Sequence, residues 1–131
     1  MVNPPTGGGV GTDRGSAHPL VHLELHTGDR AGAAAFLARL LHWHSELIDA
    51  ASCSYLAVDI GAGVGGGIVE CGAARPLWIP YVEVDRINEA TRHARQLGAS
   101  VLLAPREGPS GWRSVISSPA AGEVALWELK R

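Results

Sequence analysis

The sequence predicts an α+β fold made of two β-α-β-β-β units that pair with each other. Two observations carry this. The chain repeats itself: VHLELHTGDRAGAAAFLARLLHW from Val21 and WIPYVEVDRINEATRHARQLGASV from Trp78 each contain an alternating stretch, an Asp-Arg and a helical pattern. The two starts lie 56 to 57 residues apart, and each helical stretch is followed by three short strand-like runs. A period of that length marks a repeated supersecondary unit. One unit is too short to bury both faces of a sheet, so two must pair. The surface between paired units is the natural place for a pocket.

Taken in order, residues Met1 to Ala17 are rich in Gly, Pro and Thr without apolar periodicity and read as a disordered leader. The folded domain is expected over 18–131, with modules at 18–74 and 75–131. In the first strand Val21, Leu23 and Leu25 alternate with His22, Glu24 and His26, giving one apolar and one polar face. Asp29 is placed to cap a helix whose Ala33, Phe36, Leu37, Leu40 and Leu41 form an inward stripe. Strands are expected at His44 to Ala50, Ser54 to Ile60 and Gly67 to Cys71. The second module repeats the order with a strand at Ile79 to Val84 and a helix capped by Asp85. That helix has Ile87, Ala90, Ala94 and Leu97 inward, and Gly98 stops it as a left-handed cap. Ser100 to Ala104, Trp112 to Ser117 and Glu123 to Leu129 complete it. On this reading His22, Glu24, His26, Glu70, Ile79, Tyr81 and Glu83 lie on the face opposite the helices.

A formal charge of −2 with scattered Lys and Arg gives no electrostatic footprint for nucleic acid or an anionic membrane, and no apolar run reaches membrane-spanning length. Cys53 and Cys71, without a signal peptide, suit buried thiols in a reducing cytoplasm.

Gly61-Ala-Gly63-Val-Gly65-Gly66 matches GxGxxG, but a dinucleotide site needs a helix after it, and a strand follows here. The segment reads as a hairpin loop over the cleft. His42-Trp43-His44 lacks further ligands nearby, and His42 is explained by its place at a helix C-terminus. No GxSxG elbow is present, and neither cysteine has a cationic neighbour in sequence, so no catalytic nucleophile is assigned. His22 and Glu70 are the pair with content. Imidazole plus carboxylate suits a divalent ion such as Zn, Ni, Fe or Mn, or else the two form a hydrogen-bonded polar pair in a metal-free pocket.

The repeat, together with ELHTGD, FLARLLHW, WIPYVEVDR, ARQLGASVL and SPAAGEVALWE, resembles the vicinal oxygen chelate superfamily. That group includes glyoxalase I, extradiol dioxygenases, epimerases and bleomycin-resistance binding proteins, and the look is nearest to small bacterial glyoxalase/bleomycin-resistance-like proteins. The resemblance spans about Pro19 to Arg131 and implies a cup-shaped, half-open barrel of two four-stranded half-sheets. It also implies metal-ligand positions at His22, Glu70, Ile79 and Leu126, of which the last two are aliphatic and cannot donate. Ser118-Pro119 stands where the family carries Asp-Pro.

The expectation is therefore a metal-independent small-molecule binder, a homodimer, with no cofactor. Its amphipathic or aromatic ligand would meet His22, Glu24, His26, Glu70, Ile79, Tyr81, Trp112 and Leu126. Trp78 and Trp112 would border the cleft, and Trp43 and Trp127 would sit in the core. The alternative is a divalent-metal-dependent lyase, isomerase or dioxygenase of the same superfamily holding its ion on His22 and Glu70.

Overall fold

Alternation in the first strand sets the architecture. The computed structural model describes residues 18–49, 54–72 and 75–131; the expected leader and Cys53 lie outside the described residues. In β1 (Leu20–Thr27) Leu25 packs towards a helix while His22, Glu24 and His26 lie on the opposite face, and Val21, at a register irregularity, packs against Ile79, Tyr81 and Ala125. The remaining elements follow the expected order. The first module has α1 (Arg30–Leu41), β2 (Ser45–Asp49), β3 (Ser54–Gly61) and β4 (Val64–Glu70). The second has β5 (Leu77–Glu83), α2 (Ile87–Gln96), β6 (Ser100–Glu107), β7 (Gly111–Ser118) and β8 (Gly122–Leu129).

All eight strands form one mixed, unclosed sheet in the order β2-β3-β4-β1-β5-β8-β7-β6. Within each module the first strand runs parallel to the last, β1 with β4 and β5 with β8, and the modules join where β1 and β5 pair antiparallel. The cup is thus assembled within one chain. Among the described residues, no helix is long and apolar enough to cross a membrane.

Each helix covers its own half. Leu37 of α1 packs with Leu25, Val58 and Ile68, while Ile87 of α2 packs with Val84 and Leu126. A third cluster, Ile79, Tyr81 and Ala125 with Trp127 and Val115 against it, lies on the concave face opposite the helices. The inward stripes differ from the pattern expected. Phe36 is 62% and Leu40 59% exposed, because α1 seats through buried Leu37 flanked by Ala33 and Ala34, whose small side chains allow close approach to the sheet. In α2, Leu97 is 75% exposed, and Thr91 is buried instead, its hydroxyl bonded to the Ile87 carbonyl at 2.7 Å and paired with the Ser114 hydroxyl at 2.8 Å. Gly98, at φ +103°, follows the end of α2 as expected, whereas His42 takes the left-handed cap of α1 without being glycine.

The helix starts explain Glu70. Asp29 caps α1 by accepting from the Gly32 amide at 2.9 Å, as expected, but Asp85 does not cap α2, whose N-cap residue Arg86 makes no capping bond. A carboxylate from the last strand of each module serves both helices. Arg30 N–H donates to Glu70 Oε1 at 2.9 Å, and Ile87 N–H donates to Glu128 Oε1 at 2.7 Å. A carboxylate there satisfies a helical N–H without an intrahelical partner and favours the positive end of the helix dipole. Glu70 therefore faces the helix side, opposite Thr27 in register, and not the cleft.

The glycine run is also re-placed. The β3–β4 turn uses only Gly61, Ala62 and Gly63, all at positive φ, and Gly65, Gly66 and Gly67 lie within β4. The expected loop over the cleft is a tight hairpin followed by a strand. At the β7–β8 turn the Ser118 hydroxyl accepts from the Ala120 and Ala121 amides, so Ser-Pro closes that turn.

Glu70→Ala and Glu128→Ala should each lower unfolding stability by about 1 kcal/mol, the usual worth of a helix-capping side chain. Urea unfolding of the two single variants checks this. Loss confined to one variant would break the equivalence of the two caps.

Candidate functional site

The polar face of β1 meets module two across the β1–β5 seam. Register puts His22 opposite Tyr81 and Glu24 opposite Ile79. On the other flank His22 lies opposite Gly65 and Glu24 opposite Gly67 in β4. A Cβ built at Gly65 would come within 2.9 Å of His22 Nδ1, and one at Gly67 within 3.5 Å of its Nε2. The glycines of β4 thus leave room for the imidazole to lie over the sheet, which is why a glycine run sits inside a strand.

Glu24 is the hub. Its side chain is 15% exposed. Oε1 lies 2.8 Å from His26 Nε2 and accepts the Tyr81 hydroxyl at 3.0 Å, while Oε2 lies 3.6 Å from His22 Nε2. Arg113 Nη1 donates to the Tyr81 hydroxyl oxygen at 3.1 Å, reaching across the strand of fully buried Ala125. The His22 ring stands edge-on to Tyr81 with centroids 4.8 Å apart, and Tyr81 is tilted against Trp127 at 6.5 Å.

These contacts set the charge states. Burial pushes the Glu24 carboxyl up, but the hydrogen bonds of His22, His26 and Tyr81 and the charge of His26 outweigh it and bring the pKa from 4.5 to about 2. Tyr81 is pushed from 10.0 up to about 12 by burial and then by the neighbouring Glu24 charge, with Arg113 opposing. An ionised carboxylate only accepts, so His26 Nε2 carries the proton in its bond to Glu24. The result is a directed chain in which Arg113 donates to Tyr81, and Tyr81 and His26 both donate to Glu24. Such a chain fixes side-chain orientation and concentrates a negative charge on an apolar floor of Ile79, Ala125 and Trp127.

Of the residues expected to line the cleft, the structure brings together His22, Glu24, His26, Ile79 and Tyr81. Three expectations are corrected. Glu70 caps α1. Leu126 pairs with Val82 and packs under α2 beside Ile87. Trp112 lies in that same α2 cluster, with Lys130 Nζ 5.5 Å from its ring centroid. The tryptophans are exchanged: Trp127, expected in the core, packs on the concave face, and Trp78 pairs with Leu25 on the helix side. Sequence reading missed Arg113 and Trp127. Val69 and Trp127 occupy matching places before Glu70 and Glu128, so aligning Ile68-Val-Glu70 with Leu126-Trp-Glu128 would have placed Trp127 on the concave side.

No protein-family model and no curated protein matches the sequence. Solved structures do match by shape. A hypothetical protein from Bacillus halodurans C-125 aligns with a TM-score of 0.69 at 13% identity, over 88% of this chain and 97% of that one. Methylmalonyl-CoA epimerase from Mycobacterium tuberculosis aligns at 0.59 with 15% identity, over 86% and 88%. The Streptomyces coelicolor methylmalonyl-CoA epimerase in complex with 2-nitronate-propionyl-CoA aligns at 0.60 with 11% identity, over 86% and 97%. This chain has the vicinal oxygen chelate fold.

Metal ligation is a recurrent use of that fold, and the donor set can be tested against it. The His22–Glu70 pair does not converge, because the two side chains lie on opposite faces of the sheet. Ile79 offers no donor, and Leu126 is on the helix side. Among the described residues, no three His, Cys, Asp or Glu side chains are arranged to hold an ion. The residues present do not fit the four-position metal site.

The acid limb of stability should report Glu24. A carboxyl whose folded pKa is depressed from 4.5 to about 2 contributes stability that is fully present above pH 4.5 and lost as pH falls towards 2. The contribution is on the order of 3 kcal/mol. Melting temperature measured from pH 6 to pH 2 should fall less steeply in Glu24→Gln than in the wild type. Parallel curves would mean that Glu24 does not titrate in this way.

Proposed function

We propose that the concave face binds an amphipathic, aromatic small molecule without a metal ion. The observation that carries this reading is the hydrogen-bonded chain of Arg113, Tyr81, Glu24 and His26 laid over an apolar floor. Recognition sites combine a mostly apolar surface with a few convergent polar groups in this way. An aromatic ring can lie on half-buried Trp127 while its polar edge meets His22, Glu24 or Arg113.

Binding is favoured over proton-transfer chemistry by the state of Glu24. A general base works best with a pKa near the working pH, and a carboxylate at about 2, already accepting two hydrogen bonds, is a weak one. Tyr81 at about 12 remains a hydroxyl donor at neutral pH. Both groups are set to orient a ligand.

Two measurements test the reading. Protein purified without added metal should carry well under one divalent ion per chain. Near-stoichiometric Zn, Ni, Fe or Mn that disappears in His22→Ala would overturn metal independence and favour a metal-dependent lyase, isomerase or dioxygenase. Intrinsic fluorescence should also respond to a bound aromatic ligand through Trp127. Trp127→Phe should remove most of that response, and Trp112→Phe should leave it, since Trp112 lies under α2. The reverse pattern would place the ligand elsewhere.

A further inference from the structure

The two helices hold equivalent places in their modules but present different outer faces. Arg30 and Ile87 open α1 and α2, each with its amide on a Glu from the last strand, so positions 57 residues apart correspond. The exposed side of α2 carries Glu89, Arg92, His93 and Gln96, an ordinary solvated face. The matching positions in α1 are Gly32, Ala35, Phe36 and Arg39, all exposed, and together with Leu40 they line one shallow groove along the helix. Leu40 alone has an apolar counterpart, Leu97. An isolated exposed apolar residue needs no explanation. Here a whole face carries Gly, Ala and Phe where its repeat carries Glu, Arg and His.

Shape and charge on this face are self-complementary. Asp29, Gly32, Phe36 and Arg39 follow one another at spacings of three and four residues and so share one side of α1. When a second copy is turned antiparallel about a two-fold axis, with Phe36 over its Gly32, the same register brings Arg39 level with its Asp29. Asp29 is half engaged: one carboxylate oxygen accepts the Gly32 amide at 2.9 Å, and the other accepts no hydrogen bond among the described residues. Arg39 has no ion-pair or hydrogen-bond partner among them. Gly32 and Ala35, near the axis, let the two backbones approach closely. Antiparallel packing also sets the positive end of each helix dipole beside the negative end of the other.

We propose that the outer face of α1 is the contact between two copies of this chain, packed antiparallel through Phe36, Leu40 and reciprocal Arg39–Asp29 ion pairs. α1 lies on the side of the sheet opposite Tyr81 and Ile79, so the contact leaves both cups open and each cup complete within its own chain. It holds whatever the cup binds. A single helix pair is small beside the roughly 800 Å² per partner of a standard interface, so the dimer is a weak one that dissociates in the micromolar range.

Sedimentation equilibrium of the full chain from about 1 µM to 1 mM tests it. The average mass should rise with concentration from that of one chain towards that of two. Phe36→Glu, a charge placed in the middle of the contact, should leave a monomer throughout, and His93→Glu at the matching place on α2 should behave as the wild type. Arg39→Glu, set against Asp29 of the second copy, should raise the dissociation constant about tenfold. All three positions are exposed, so the variants should fold, which circular dichroism and melting temperature verify. A wild type that stays monomeric at the highest concentration would overturn the proposal, and so would a dimer that survives Phe36→Glu. A dimer that appears only when residues 1–17 are deleted would overturn it too, by making that segment the natural cover of α1. An unchanged dissociation constant in Arg39→Glu would overturn the antiparallel register.

Discussion

The antiparallel pairing of β1 with β5 is the constraint on which the rest of the molecule depends. Each module by itself is a four-stranded sheet with a helix on one face and an uncovered first strand at its edge. Joining the two first strands removes both of those edges and makes one sheet of eight strands. Register follows from the same pairing. A slip of one residue would turn His22, Glu24 and His26 towards α1 and drive Leu25 into the cup. The apolar packing of Leu25 with Leu37 and Ile68 therefore fixes which face carries the polar residues. It also brings Glu24 of module one within reach of the Tyr81 hydroxyl of module two, so the hub exists only because the modules are joined.

The internal repeat offers a comparison within a single molecule. Equivalent positions that hold the same chemistry in both halves serve the fold: Glu70 and Glu128 each satisfy the first amide of their own helix. Three equivalent positions that differ lie on the concave face. His22 corresponds to Ile79 and Glu24 to Tyr81 at the 57-residue offset of the first strands, and Val69 corresponds to Trp127 in the last. The two halves therefore present unlike surfaces, polar on β1 and aromatic on β5 and β8. That asymmetry is one ground on which we propose an amphipathic ligand for the cup.

Much of the fold was legible because the repeat and the β1 alternation are physical consequences of burial. All eight strands and both helices stand in the expected order, and the glycine motif leads into a strand as expected. Part of the site was legible for the same reason: His22, Glu24 and His26 alternate with aliphatic residues on a strand whose two faces differ. The last strands were not. β8 reads Gly-Glu-Val-Ala-Leu-Trp-Glu-Leu, and with a helix on one side and the cup on the other, both faces are partly apolar. Such a strand loses the alternation that would reveal its orientation. Leu126 and Trp127 were exchanged on that account, and Trp112 with Arg113 one strand away. In β4 the signal was removed outright, since glycine has no side chain to alternate. The helix stripe failed differently: periodicity marks an apolar side of α1, but Ala33 and Ala34 let the helix sit closer and rotated, leaving Phe36 and Leu40 outside.

Charge placement follows from the same geometry. Glu24 is tolerated in a largely buried position because three donors surround it, and its ionised form is the one they stabilise. An ionised Glu24 in turn keeps Tyr81 protonated, and Tyr81 offers its oxygen to Arg113. Small Ala125 in the intervening strand leaves the concave side open enough for the arginine to cross it. Arg113 of module two is thus linked through Tyr81 to Glu24 of module one. The two halves of the cup are coupled through a single tyrosine hydroxyl.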